Sequence, residues 1–572
     1  MSRLEKLKKT TSLSELAQLL GYKPRAVSYI LYKIPNDKKY AEFTIPKKNG
    51  ETRTIKAPTD KLKKLQRRLT DLLNDSFEEI GKKYGQRKSL SHGFRKGHSI
   101  VTNAKNHKNK RFVFNVDLRD FFPSLNFGRV RGFFIKNHHF SLTPKVATVI
   151  AQIACHDNEL PQGSPCSPII SNLIGHLLDI RMVNLAKKSK CTYSRYADDL
   201  TFSTNKKDFS EKIAIEIKEN NWIAGKTLIK EIEKVGFSIN TKKISMQYKT
   251  ARQMTTGLIV NEKINIRKEY YRKARSMCHE LFKTGEFYIN KEVELPETEQ
   301  KESGASDEGG VTLNQLEGIL SFIYQVKLPH YIYDDNGKRV KPTAITDLYR
   351  KFLFYKHFFS IEKPLIICEG KTDIIYLKCA LKKLKNEYGE FIQEKDDGGV
   401  DFKIGFLNMS KSLTDVFDIS TGTSGLLYLI NMYEKNMKEF EGEGKKYPVI
   451  ILVDNDDGAG RIKSRIKNQL KIKDELNINK PYKFIDNLYI MFAPTEKTGE
   501  IEDLFDAVTI DTELNGKIFS RAKDINKETE YGKIVFAEKV IKVKQKEINF
   551  DNFKSVFDKM KLIIKEYDRQ NA

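Results

Sequence analysis

Cysteine is sparse and unpatterned in this 572-residue chain. The six cysteines, at positions 155, 166, 191, 278, 368 and 379, form no CxxC pair and no Cys/His cluster at zinc-ligand spacing. Neither a disulfide framework nor a zinc module is therefore expected, and reduced thiols in a cytoplasmic protein are. Long apolar runs are missing too: none approaches the roughly 20 residues that span a bilayer. The N-terminal stretch MSRLEKLKKTTSLSELAQLL is charged and amphipathic and lacks the apolar centre of a signal peptide. Acids are too few to balance bases, with Asp plus Glu at 75, Lys plus Arg at 101 and a formal net charge of +26. That excess implies a polyanionic partner, nucleic acid first and an anionic membrane second. With no span and no leader, the membrane reading falls away.

The bases are unevenly spread. Ten Lys or Arg and no acid lie between Gly81 and Val116, and nine bases against two acids lie between Lys47 and Thr70. Either run alone reads as a solvated face. Two of them flanking one carboxylate cluster suit a groove that follows a phosphate backbone. Residues 12–33, SLSELAQLLGYKPRAVSYILYK, carry apolar residues at helical spacing broken by Gly21 and Pro24. Two short helices fit there, as a helical layer on a larger domain in preference to a helix-turn-helix DNA reader. From about 40 to 260 short strands alternate with helices, and 261–294 is helical and basic. The polar, Gly-rich stretch LPETEQKESGASDEGGVT (295–312) predicts a mobile insertion. Apolar helical periodicity resumes at once in LNQLEGILSFIYQV (313–326), so this is no domain boundary. The boundary is expected near 360, where KFLFYKHFFS gives way to PLIICEG and strand–helix alternation restarts. The plan is an N-terminal helical region 1–40, an α/β region 41–260, a helical region 261–360 and a second α/β domain 361–572.

The stretch YSRYADDLTFS (193–203) sets two adjacent acids, Asp198 and Asp199, among residues that favour a half-buried strand. Like charges side by side repel, and burying either is costly without a neutralising partner. A solvated turn is the ordinary explanation for such a pair. A further acid, Asp117, ends the apolar strand Phe112–Val116 within RFVFNVDLRDFFPSL (111–125). One acid at a strand end and two in a later hairpin can converge on divalent cations, and Mg²⁺ prefers carboxylate oxygens while keeping positions for substrate phosphates. Two such ions can activate an attacking 3′-hydroxyl and steady the leaving pyrophosphate. In this reading Asp117 and Asp198 bridge the metals and Asp199 has a lesser role. Between the acids, PQGSPCSPIISNL (161–173) supplies a turn and a helix. Gly163 allows close backbone approach to a nucleotide or template, and Gln162 can hydrogen-bond it.

In this order the Asp117 motif, PQG at 161–163, YADD at 196–199 and GFSINTKK at 236–243 resemble the reverse transcriptases, over about residues 20–360. The resemblance implies a right-hand polymerase, with fingers and palm at 41–260 and thumb at 261–360, using Mg²⁺ and deoxynucleoside triphosphates. It implies that Phe122, five residues after Asp117, is a steric gate against the ribose 2′-hydroxyl. Lys47 and Arg53 in KKNGETR resemble residues that contact the incoming triphosphate, and Lys243 the lysine that protonates pyrophosphate. NAKNH (103–107), with Asn103, Ala104 and His107, fits the NAxxH signature of retron reverse transcriptases. TTGLIVN (255–261) resembles their VTG triplet, with Thr255, Thr256 and Gly257 and a threonine where the family has valine. In retrons these regions recognise a cognate structured noncoding RNA, and priming from a guanosine 2′-hydroxyl leaves branched RNA–DNA in the bacterial cytoplasm.

A second constellation lies beyond residue 360. PLIICEGKTDIIYL (364–377) puts Glu369 at a strand end and Asp373 in the next helix, and YPVIILVDNDDGAG (447–460) ends an apolar strand in Asp454, Asp456 and Asp457. Acids at the tip of a buried strand suit an α/β crevice site, although a solvated turn would also produce the aspartates. Together the motifs resemble a Toprim domain, an α/β fold with a mainly parallel sheet. The resemblance makes Glu369 a general acid/base and Asp454 and Asp456 Mg²⁺ ligands. Glu502 and Asp503 in EIEDLF resemble the extra acidic element of nuclease-type members, where an ordinary acidic helix start is the rival. The expected protein is a multidomain α/β enzyme, a retron polymerase fused to a Toprim nuclease used in antiphage defence. A reverse transcriptase of group II intron type, lacking here any maturase or HNH region, and a non-catalytic nucleic-acid scaffold are the competing readings. Homo-oligomerisation is left open.

Overall fold

The computed structural model describes residues 2–46, 52–83, 91–288, 312–334, 337–396, 398–419, 422–494, 499–522 and 524–571. The chain divides into two compact units, Met1–Arg267 and Lys268–Ala572.

The first unit is built on a four-stranded sheet of order β4-β5-β3-β8, all neighbours antiparallel, with β3 at Phe112–Asp117, β4 at Thr192–Tyr196, β5 at Asp199–Thr204 and β8 at Ser245–Tyr248. The β1 (Tyr40–Pro46) and β2 (Thr52–Pro58) strands form a separate antiparallel hairpin, and so do β6 (Ala214–Lys218) and β7 (Asn221–Ala224), and β9 (Met254–Thr255) and β10 (Leu258–Ile259). Leucines at 62, 65, 69, 72 and 73 recur at helical spacing in Asp60–Lys83 and bury one stripe of that helix. They join Phe114 and Val116 of β3 and the helix Ser167–Lys188 in one core. That 22-residue helix is long and apolar enough to cross a membrane, but Ile170, Ile174, Leu178 and Met182 lie buried inside the unit. Leu4, Leu7, Leu16, Leu20 and Val27 from the first thirty residues enter the same core, which is the packing of a helical layer.

The second unit opens with the helices Lys268–Thr284, Leu313–Val326 and Ala344–Phe354 and the hairpin β11 (Tyr331–Tyr333) and β12 (Arg339–Pro342). Its main element is a five-stranded sheet of order β16-β13-β17-β19-β18, interrupted in sequence by the short hairpin β14 (Ile392–Glu394) and β15 (Val400–Phe402). The sheet strands are β13 (Leu365–Cys368), β16 (Gly405–Phe406), β17 (Val449–Asp454), β18 (Tyr482–Ile485) and β19 (Leu488–Ala493). Four run parallel, with β18 antiparallel at one edge. The unbroken apolar runs of β17 and β19 match their burial on both faces, as parallel strands require. The boundary expected near 360 lies inside this unit, because the aromatic run at 352–359 is part of its core. The Phe354 ring is 5.3 Å from Tyr433, and Phe359 is 5.0 Å from Phe440. Of the insertion at 295–312, all but Thr312 lies outside the described residues.

Candidate active sites

In the first unit, strand pairing delivers the acids to one place. Asp117, 7% exposed at the end of β3, is the register partner of Asp199, the first residue of β5. Asp198 sits in the two-residue turn from β4 to β5, and its carbonyl accepts the Leu118 amide at 3.0 Å. The turn is tight: Ala197 has φ +56°, and a Cβ on Gly93 would lie 2.6 Å from the Ala197 amide nitrogen. Burial, then the neighbouring charge of Asp117, push the Asp198 carboxyl up to about 6. Lys243 ends a short 3₁₀ turn of the GFSINTKK segment and donates from Nζ to Asp117 Oδ2 at 3.2 Å. Burial would lower its pKa, but Asp117, Asp198 and Asp199 outweigh that and raise it. Asn240 adds its backbone amide to the Asp117 carbonyl at 2.8 Å. The charge of Arg53, exposed on β2, also reaches Asp198. Lys47 lies outside the described residues.

The PQG turn behaves differently from its sequence reading. Gly163 has φ +117°, and a Cβ there would meet the Lys56 carbonyl oxygen at 2.7 Å. The Gln162 carbonyl accepts the Lys56 amide at 2.8 Å. The close approach is thus to strand β2, and the turn is a backbone joint to the β1–β2 hairpin. Phe122 is half-buried, 5.4 Å from the Phe121 ring and 6.1 Å from Phe94.

The residues expected to read RNA are mostly inside. Asn103, Ala104, His107 and Thr255 are all 0% exposed, so in this fold their side chains face the protein and not a passing nucleic acid. Thr256 is half-buried and Gly257 exposed at the tip of the β9–β10 hairpin, and the Thr256 hydroxyl reaches the Ile100 carbonyl at 3.4 Å. The two signatures therefore pack together. Sequence reasoning missed Arg195 and Asp179, a wholly buried pair behind the YADD turn. The available signal was Asp179, the sole acid of the helix 167–188.

In the second unit, β13 and β17 are parallel neighbours with Cys368 opposite Leu452, which brings Glu369, just past the end of β13, close enough to Asp454 for their charges to interact. Thr423 donates from its amide (2.9 Å) and hydroxyl (2.6 Å) to Glu369 Oε1, while Glu369 Oε2 is buried without a hydrogen-bond partner among the described residues. Asp454 accepts the Ile501 amide at 3.0 Å. Burial, then Asp373, Glu369 and Glu502, push its carboxyl up to about 8. Glu502, 0% exposed, pairs with Lys533 at 3.2 Å and accepts the Tyr376 hydroxyl at 3.3 Å. Asp456 caps a 3₁₀ turn by accepting the Ala459 amide at 3.2 Å, and Asp457 is exposed. Asp503 is taken up by Arg521 at 2.9 Å and the Glu500 amide. Asp373 caps its own helix through the Gly370 amide at 2.7 Å. Both clusters concentrate more negative charge than their surroundings neutralise, which is the donor set a divalent cation relieves.

A family model described as reverse transcriptase (RNA-dependent DNA polymerase) matches residues 45–271, so the sheet carrying Asp117, Asp198 and Asp199 is of the reverse transcriptase class. The Retron Ec86 reverse transcriptase of Escherichia coli is 33% identical over 290 residues, which cover 49% of this chain and 79% of that protein. The Retron Mx65 and Mx162 reverse transcriptases of Myxococcus xanthus are 31% and 28% identical, and the matches span 56% and 65% of their lengths and 42% and 56% of this chain. The chain belongs to the retron reverse transcriptases.

Proposed function

We propose that this chain is the RNA-directed DNA polymerase of a retron, copying part of a cognate structured noncoding RNA into branched, RNA-linked single-stranded DNA. Residues 41–260 act as fingers and palm and 261–360 as thumb. The observation that carries the polymerase reading is the pairing of Asp117 with Asp199 across β3–β5, with Asp198 in the adjoining turn. Asp117 and Asp198 would hold two Mg²⁺ ions, with Asp199 beside them. When bound, the metal supplies Lewis-acid activation of the attacking hydroxyl and of the phosphate. The side chains do the rest. Lys243 gives a proton to the departing pyrophosphate, a role supported by its contact with Asp117. Arg53 meets the triphosphate, and the Phe122 ring stacks under the sugar. The outward bases of the 81–116 run hold RNA through phosphates and shape.

The second unit supports a companion activity, a Toprim-type Mg²⁺-dependent phosphodiesterase over 361–572 acting as an antiphage effector. Here Glu369 is the general acid/base, and Asp454 and Asp456 would hold metal with Glu502 nearby. The buried, unpartnered Glu369 Oε2 beside Asp454 is its best support.

The test is to purify the chain with its bound nucleic acid and sequence it. A branched RNA–DNA species is expected, and plain cellular RNA would overturn the retron assignment. Asp198→Ala with Asp199→Ala should abolish DNA synthesis while RNA binding persists. Glu369→Ala should abolish nuclease action and toxicity while DNA synthesis continues; retained cleavage would remove Glu369 from the second site.

A further inference from the structure

The NAxxH segment turns its signature side chains inward, onto the strands that carry the YADD turn. His107 Nδ1 lies 2.7 Å from Ser203 Oγ on β5, and Nε2 lies 2.7 Å from Ser194 Oγ on β4. The Ser194 hydroxyl donates to Asn103 Oδ1 at 2.6 Å. Its single proton is thereby used, so Ser194 must accept from His107 Nε2–H. A neutral ring then accepts the Ser203 hydroxyl at Nδ1. Burial holds the imidazole neutral, with its pKa lowered to about 3. One imidazole thus ties both strands of the hairpin at fixed spacing.

Further hydrogen bonds link the neighbouring strands. Thr201 on β5 donates to Asn115 Oδ1 on β3 at 2.9 Å, and Asn115 Nδ2 donates to the Met254 carbonyl on β9 at 3.0 Å. The Asn109 amide returns to the Val260 carbonyl at 2.9 Å, and Thr256 reaches Ile100 at the start of the NAxxH helix. Separate hydrogen bonds therefore tie the hairpin, the sheet and both retron signatures to one another. On the opposite side of the NAxxH turn, Lys105 and Lys108 are exposed.

We infer that Asn103 and His107 are positioning residues of the polymerase: they set the spacing of β4 and β5, and through it the Asp198 carboxylate, while Lys105 and Lys108 face the RNA backbone. This rests on the polymerase reading above. It divides the motif into an inner side that determines rate and an outer side that determines RNA affinity. A misplacement of a reacting group by about 1 Å can cost roughly a hundredfold in rate, and partners of metal ligands commonly count for about ten- to a hundredfold.

The test uses the full chain with its cognate RNA and measures three quantities: single-turnover DNA synthesis at saturating RNA, RNA Kd at fixed salt, and the Mg²⁺ concentration giving half the maximal rate. Ser194→Ala, Ser203→Ala and His107→Asn should lower the rate about ten- to a hundredfold, raise the Mg²⁺ requirement several-fold and leave Kd within about twofold. Lys105→Ala with Lys108→Ala should weaken Kd and flatten its salt dependence. The serine variants each remove one oxygen, so they keep the test sharp should His107→Asn fail to fold. A weakened Kd with an unchanged saturated rate in the inner-side variants would overturn the inference in favour of direct RNA reading. A lower melting temperature with no change in rate or Mg²⁺ requirement would also overturn it, leaving a purely structural bond. Absence of DNA synthesis by the unmodified chain would instead sink the polymerase reading itself.

Discussion

The Arg195 guanidinium grips Asp179 with two hydrogen bonds, Nε to Oδ1 and Nη2 to Oδ2, each 2.8 Å long and wholly buried. Its remaining nitrogen donates to the Ala197 carbonyl at 3.0 Å, one residue before Asp198, and the Tyr193 hydroxyl adds a bond to Asp179 at 2.9 Å. Burial would lower the guanidinium pKa, but the Asp179 carboxylate outweighs it and raises it. The turn that presents Asp198 is thus hung from a buried ion pair on the helix behind it.

Removing one partner strands the other charge in the core. Arg195→Met should therefore cost about 3–5 kcal/mol of stability, read as a lower urea midpoint of the full chain. Arg195→Lys should fall between, since a lysine keeps the charge but not the two-pronged geometry. Equal midpoints for all three proteins would show that the pair contributes no net stability.

Gly163→Ala forces a Cβ onto the Lys56 carbonyl and strains a backbone at φ +117°. Strain of this kind is worth about 1–3 kcal/mol, and it falls on the joint to the β1–β2 hairpin, which carries Arg53. The expected result is a KM for deoxynucleoside triphosphate several-fold higher, with a smaller change in kcat. A KM unchanged in dNTP titrations would detach the PQG turn from nucleotide binding.

Phe122→Ala should relax sugar discrimination, because a ring that crowds the 2′ position rejects an added hydroxyl by up to about a hundredfold. The measurement is the ratio of kcat/KM for ribo- and deoxynucleotides on one primed template. A ratio identical to that of the parent would assign Phe122 to packing against Phe94 and Phe121 alone.

Asp454 supplies a pH dependence with a definite sign. Its folded carboxyl titrates near pH 8, whereas an unfolded aspartate titrates near about 4. The folded state therefore holds the proton more tightly, and in metal-free protein this group's favourable contribution is complete below about pH 4 and drains away up to about pH 8. Burial raises Asp373 and Glu502 in the same direction. A cation bound by the cluster offsets the repulsion of the ionised form. Mg²⁺ should accordingly raise the melting temperature over an EDTA control more at about pH 9 than at about pH 6. An equal increment at both would speak against a cation at Glu369 and Asp454.

Several elements are legible along the chain. Alternating and continuous apolar runs mark β3, β5, β13 and β17, and the acids that terminate them stand out because strands disfavour aspartate. The Leu stripe of Asp60–Lys83 is equally plain. The buried roles of Asn103 and His107 are not, since a polar residue in a short helix carries no mark of which way it faces. Nor is the packing of 268–360 against the parallel-sheet region, because Phe354 and Phe359 find Tyr433 and Phe440 some eighty residues later.

The amino-acid order alone determined which side chains could do chemistry: three carboxylates and a lysine in one half, a glutamate and paired aspartates in the other, and a basic surplus suited to nucleic acid. Tertiary structure decided which groups meet. Register across β3 and β5 sets Asp117 against Asp199, parallel pairing of β13 and β17 sets Glu369 beside Asp454, and burial turns the retron signature inward. The reason is physical: side-chain chemistry is local, whereas proximity and desolvation are made by contacts between residues far apart in the chain.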